Sequence, residues 1–251
     1  MHAANLNEVL AILRTIVDDA KSRQDPLGYF PAMYRQVTVA VKKGIDDGVF
    51  DDGPRMDRLD TAFANAYFKA FDAYQAGRRA SRSWQYAFDG ARSNRLIILQ
   101  NLLLGINAHI NLDLGVVTGK TFPGAAVVDL LDGDFNRIND ILGGLVPRAR
   151  AVVEQYSPNL HELTAATGAS PELALNFSLV VARDEAKRTA TLIAAMPDAI
   201  DDIAIETIDR RTKLIGRVVA EPPEPLALIV RHIRDDESTD VRAIITALDN
   251  L

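Results

Sequence analysis

The chain has 251 residues, 48% of them hydrophobic, and a formal net charge of −6, enough for one large domain with a substantial core. An acidic balance without a basic block argues against nucleic acid and against an anionic membrane surface as partners. Cysteine is absent, which excludes disulfides, thiolate metal sites and cysteine nucleophiles and is compatible with the cytoplasmic location expected here.

In chain order the pattern is helical nearly throughout. The opening MHAANLNEVLAILRTIVDD has no basic region ahead of its apolar residues and so does not read as a secretory signal. Apolar residues at helical spacing (Leu6, Val9, Leu10, Leu13, Ile16, Val17) predict a helix over Asn5–Lys21. A proline-punctuated break, DPLGYFP, precedes a second helix over Met33–Val49. Arg55–Ala76 is amphipathic, with Met56, Leu59, Phe63, Tyr67 and Phe71 on one side. A helix starting at Ser83 is expected to run into a long apolar one. That run, Leu96–Val117, is interrupted by Gln100, Asn101, Asn107, His109, Asn111 and Asp113, and is read as too polar for a transmembrane span. Further helices are expected over Asp134–Val153, around His161, from ASPE at Ala169 with Ser170 as N-cap to about Met196, and over the segment after Pro197. EPPEP at Glu221 is a stiff spacer before two short helices. The expected fold class is all-α, a single irregular or orthogonal helical bundle around a central apolar helix at about residues 94–117. Residues 1–220 form its core domain, and 221–251 form a C-terminal helical appendage packed on the same domain.

The central helix carries the most informative residues. An apolar helix is buried, and buried polar groups need partners. At 100° per residue His109 and Asp113 lie within about 40° of each other, with Gly105 on the same face, where a backbone or ligand can approach closely. Asn107 and Asn111 lie opposite, near Gln100, and read as hydrogen bonds between helices. Other acids fall on apolar stripes. Asp60 aligns with Met56, Ala64, Tyr67 and Phe71, and is a candidate partner of Arg35 or Arg55. Asp134 aligns with Ile138, Ile141 and Leu145, or caps its helix. Asp184 aligns with Leu173, Phe177, Val180 and Val181, with Arg188 as its simplest ion-pair partner. On that last helix Arg183, Lys187 and Asn176 mark the solvent arc. His2, His161 and His232 read as surface residues.

No Glu-x-x-His pairs, HExxH, GxSxG or Walker loop is present. The sequence GVVTGKT at Gly115 lacks the phosphate-loop spacing and follows a helix. What remains is one histidine with carboxylates near it. His109, Asp113 and Asp184 are the candidate catalytic residues: Asp113 orients the ring and His109 acts as general acid or base. One divalent metal on His109, Asp113 and Asp134 is the alternative use of the same pair.

The segment LLLGINAHINLDLG resembles an uncharacterised bacterial domain family of unknown function. MYRQVTVAVKKGIDDGVF from Met33, RMDRLDTAFANAY from Arg55, SWQYAF from Ser83, DFNRIND from Asp134 and FSLVVARDEA from Phe177 share the resemblance. Where that last segment is usually followed by tryptophan, this chain has Lys187. The resemblance implies a characteristic fold and no activity. The His-x-x-x-Asp pair at His109 and Asp113 is also distantly similar to helical zinc-dependent phospholipase C-like proteins, whose further histidines have no counterpart here. The functional expectation is a buried His/Asp site for a small-molecule ligand, serving a hydrolase-like or other acid–base reaction. The competing expectation is a non-catalytic helical protein that binds an apolar ligand or a protein partner.

Overall fold

Asn5 opens the first helix by accepting the backbone N–H of Glu8, and Gln24 closes it in the left-handed region at φ 52°. This α1 (Leu6–Arg23) is followed by α2 (Tyr29–Asp46), α3 (Gly53–Gln75) and α4 (Arg82–Arg92). Asp52 caps α3 and Ser81 caps α4 with their side chains. The central helix is α5 (Ile98–Ala108), a π-helical stretch (His109–Leu114) and α6 (Gly115–Thr121). Then come α7 (Asp134–Tyr156), α8 (His161–Thr167), α9 (Pro171–Ala195), α10 (Asp198–Ala220), α11 (Leu226–Asp236) and α12 (Val241–Leu248). This computed structural model describes residues 1–124, 126–127, 133–168 and 171–251. Among them there is no strand, and the architecture is an all-α bundle. The expected cap Ser170 and the side chains of Asn176, Leu173, Phe177 and Val180 lie outside the described ones.

The helix starting at Ser83 does not continue into the central one: it stops at Arg92, and Asn94 turns the chain at φ 54°. The central helix is surrounded by α2, α3, α4, α9 and α10. By length and composition Ile98–Thr121 is apolar enough to cross a membrane, contrary to its sequence reading, but 72% of its apolar window is buried inside this fold. The last two helices join the same core: Ile233, Ile244, Ile245 and Leu248 are fully buried.

Three carboxylates from distant parts of the chain cap helix N-termini, where unpaired N–H groups and the helix dipole favour negative charge. Asp134 accepts the backbone N–H of Asp51 and Asp52 at the start of α3. Asp209 accepts those of Arg82 and Ser83 at the start of α4. Glu237 accepts that of Ile98 at the start of α5, together with the Ser157 hydroxyl.

Helix α9 is rotated relative to the expectation. Arg183 is buried and Asp184 is exposed, while Val181 and Leu192 face outward. The face turned inward carries Ala182, Ala186, Thr189 and Ala190. Small residues are needed there because α9 lies directly on α6: a Cβ at Gly115 would sit 2.8 Å from the Ala186 carbonyl oxygen, and one at Gly119 2.7 Å from that of Ala190. Close backbone approach, rather than large apolar side chains, selects this face.

Candidate functional site

The polar face of the central helix is built where the helix widens to π geometry, a local distortion common at functional sites. His109 begins this stretch and Asp113 lies inside it; both are buried. The Trp84 indole N–H donates to Asp113 Oδ2 at 2.8 Å, and the same oxygen lies 3.4 Å from His109 Nδ1. The imidazole is enclosed by aromatic rings. Phe63 stacks flat on it with centroids 3.5 Å apart and 9° between planes, and Tyr34 and Phe30 meet it edge-on at 4.5 and 5.5 Å. Phe30 fits there because Gly105 has no side chain: a Cβ at Gly105 would fall 2.4 Å from the Phe30 ring.

Burial sets the ionisation of this pair. It drives the His109 pKa well below its ordinary value. It raises the Asp113 carboxyl to about 8, with the Trp84 hydrogen bond pulling back down and Asp209 pushing up. The two groups are therefore a neutral pair at neutral pH and not an ion pair.

The far edge of the imidazole, Nε2, is buried and has no hydrogen-bond partner among the described residues. His109 lines a cavity of about 100 Å³, measured as the space open to the centre of a water molecule. Tyr34, Asp60 and Arg183 share this wall, and the rest of it is apolar, from Leu59, Leu102, Ile138 and Val146 to the C-terminal Leu251. Tyr34 Oη and Arg183 Nε are likewise buried without a partner among the described residues. Arg183 donates its Nη2 to the Phe135 carbonyl and lies with Cζ 4.2 Å over the Phe135 ring. Burial raises the Asp60 carboxyl to about 7, although the Arg183 charge draws it down. Burial also lowers Arg183 to about 10, so the guanidinium stays charged at neutral pH.

Of the residues expected at the site, the fold brings together His109 and Asp113, with Asp113 behind the ring and outside the cavity wall. Asp184 does not reach them, because the rotation of α9 turns it to solvent. Arg188 pairs with Glu185 instead. Asp134 is fully buried at the start of α3, where the N–H groups of Asp51 and Asp52, Arg55 and Arg137 hold it. Burial works against its charge, yet these donors keep its pKa below the ordinary carboxylate value. The expected metal set is accordingly not assembled: among the described residues no three His, Cys, Asp or Glu side chains are grouped to hold an ion. Asp60 pairs with neither Arg35 nor Arg55, which are held by Asp249 and Asp134. The opposite face is structural: Asn107 donates to the Thr212 carbonyl, Asn111 to Asn107, and Gln100 to the Val219 carbonyl. His2, His161 and His232 are exposed. Lys187 donates to Asn136 Oδ1 with its ammonium 5.7 Å over the Phe135 ring. Two wall residues escape a sequence reading. Arg183 sits on a face chosen by glycine packing, and Tyr34 differs from its apolar neighbours only by one hydroxyl.

Residues 6–222 match a family of unknown function, DUF5995. The chain belongs to this family. No curated protein and no solved structure matches it. The family assigns no role to any residue, so the site's chemistry rests on its geometry.

Proposed function

We propose that the protein binds an apolar small molecule bearing one polar head, held in the core cavity with the head at His109, Tyr34, Asp60 and Arg183. One observation carries this reading: the polar atoms His109 Nε2, Tyr34 Oη and Arg183 Nε, without partners among the described residues, belong to side chains lining a single cavity that is apolar apart from these and Asp60. Each such orphan costs roughly 1–3 kcal/mol when left unsatisfied. An apolar void of this size adds about 2 kcal/mol. A ligand with an apolar body and a hydrogen-bonding head relieves both costs at once. Fatty acids, fatty alcohols and acyl esters have that chemistry. The charged Arg183 and the poised Asp60 accept a carboxylic acid or a neutral carbonyl equally.

A second reading, acid–base catalysis, has its own observation. Asp113 stands at Nδ1 of His109, while Nε2 has no partner among the described residues on a side chain that lines the cavity, an arrangement open to an oriented general base. In this reading His109 takes a proton from a water attacking an ester carbonyl, Tyr34 or Arg183 stabilises the oxyanion, and the imidazolium returns the proton to the leaving alkoxide as the ester C–O bond breaks, giving acid and alcohol.

The test is organic extraction of the purified protein followed by mass spectrometry, together with titration by a fluorescent medium-chain fatty acid. Ala149→Met fills the cavity from the apolar side and leaves every polar group in place. It is expected to weaken probe binding about tenfold or more while the melting temperature holds or rises. An empty extract together with no saturable binding by the parent protein overturns the proposal. The same preparation, assayed on medium-chain esters, decides the second reading: hydrolysis must be present and must vanish in His109→Gln without loss of probe binding.

A further inference from the structure

Helix α7 is the thin wall of the core cavity. Ile138, Leu142, Leu145, Val146, Ala149 and Val153 form its inward stripe, and all of them line the cavity. The opposite face, with Gly143, Gly144, Pro147 and Arg148, is exposed to solvent. Leu142 and Leu145 are only half-buried, whereas the wall residues Leu59 on α3 and Leu102 on α5 are buried. At α7 a single helix therefore stands between the cavity and water.

That helix is weakest at its middle. Gly143, Gly144 and Pro147 fall within one short stretch, and glycine and proline are the poorest helix formers. Pro147 has no N–H, so the Gly143 carbonyl loses its partner inside the helix, an ordinary cause of bending. Packing does not ask for the two glycines: a Cβ at either would meet nothing within 4 Å, unlike one at Gly105, Gly115 or Gly119. What they supply is backbone freedom.

The two ends of α7 are fixed. Asp134 ties its first turn to the start of α3 through the N–H groups of Asp51 and Asp52 and through Arg55. At the far end the Ser238 N–H donates to the Tyr156 carbonyl at 2.8 Å, and Tyr156 Oη donates to the Ala243 carbonyl at 3.4 Å. Between these ends, among the described residues, no hydrogen bond or ion pair joins residues 138–149 to another element, and apolar contacts hold the stretch. Moving it outward strands no polar group, as suits a segment that opens locally.

We infer that the middle of α7 is a hinged lid, which bends at Gly143, Gly144 and Pro147 between its fixed ends and opens the cavity. That the opening admits a ligand rests on the binding function proposed above; the hinge itself does not.

The double variant Gly143→Ala, Gly144→Ala stiffens the hinge where both methyl groups have room, and it changes no residue of the cavity wall. Hydrogen exchange of the ligand-free protein reads the hinge. Peptides spanning residues 141–150 should exchange about tenfold or more faster than those of α5, and the double variant should slow them about tenfold. Stopped-flow mixing with the fluorescent medium-chain fatty acid reads the lid. The double variant should slow association and dissociation alike, each about tenfold, and leave Kd within about twofold, because ligand passes both ways through the same opening. A substitution that only stabilised the fold would not change both rates by a common factor. Exchange over residues 141–150 as slow as in α5, or unaltered by the double variant, overturns the hinge. Probe rates that the double variant leaves unchanged overturn the lid. A parent protein that binds no probe refutes the binding function instead, and the exchange result still decides the hinge.

Discussion

At the scale of single residues, the interior of this protein holds neutral forms of groups that are usually charged. Asp113 and Asp60 lie in apolar surroundings that raise their pKa from 3.8 to about 8 and about 7. His109 is pushed in the opposite direction by the same burial. The consequence for stability follows from linkage. A carboxyl with a raised pKa in the fold contributes stability that is complete below its unfolded value of 3.8. That contribution is lost as pH rises through about 7 for Asp60 and about 8 for Asp113. His109, with a lowered pKa, contributes stability above its unfolded value of 6.5 and loses it as pH falls. Other acids, such as Asp134 and Glu185, are held below their ordinary values and lose stability on the acid side. The parent's full pH profile therefore mixes signs, and the difference between parent and variant isolates one group. Asp113→Asn keeps a hydrogen-bond acceptor for Trp84 and removes the titration. Its stability relative to the parent is expected to rise from pH 5 to about pH 8, with a slope of at most ~1.4 kcal/mol per pH unit, and to level off above. Denaturant melts at four pH values measure it, and a flat difference would mean that Asp113 is already ionised in the fold.

At the scale of elements, helices were legible in the sequence but their faces were not always. The stripe on α3, with Met56, Leu59, Tyr67 and Phe71, is large, apolar and periodic, so burial follows the pattern. The two faces of the central helix were legible for the same reason: polar residues inside an apolar run must find partners, and Asn107 and Asp113 do. On α9 the inward residues are alanines and a threonine, which carry little hydrophobic signal, and the deciding contacts come from Gly115 and Gly119 on another helix. The carboxylates that cap α3, α4 and α5 were opaque for a different reason: their partners lie 83, 126 and 139 residues away in sequence. The spacing of Gly115 and Gly119, one helical turn, was the available signal for a close helix pair. Gly119→Ala tests it. The added methyl group meets a backbone carbonyl, which cannot rotate aside, so α6 and α9 must separate. A loss of about 1–3 kcal/mol is expected, against a gain of up to about 1 kcal/mol for the same change in an unpacked helix. Thermal unfolding of the variant gives the sign directly.

At the scale of the whole molecule, the stretch shared with the family ends before the fold does. The match covers residues 6–222, whereas the core extends to the C-terminus. Ile233, Ile244, Ile245 and Leu248 are each fully buried, and Leu251 closes part of the cavity wall. Glu237 caps the central helix through the Ile98 N–H. Asp249 binds Lys21 and Arg35, tying α1 and α2 to the end of the chain. Four buried aliphatic side chains alone contribute roughly 6–12 kcal/mol, at ~1.5–3 kcal/mol each. The net stability of a domain is only about 5–15 kcal/mol. Residues 223–251 are thus as costly to remove as the fold is stable. A chain ended at Pro222 is expected to lose its cooperative thermal transition and to bind a dye specific for exposed apolar surface. The full chain should unfold in one transition that includes α11 and α12. Adding a separate peptide of residues 223–251 should restore part of the transition, because the groove it leaves is lined by the same α1, α2 and α7 side chains. A truncated chain that melts cooperatively near the parent temperature would show instead that residues 6–222 are a self-sufficient domain and that the last two helices only cover it.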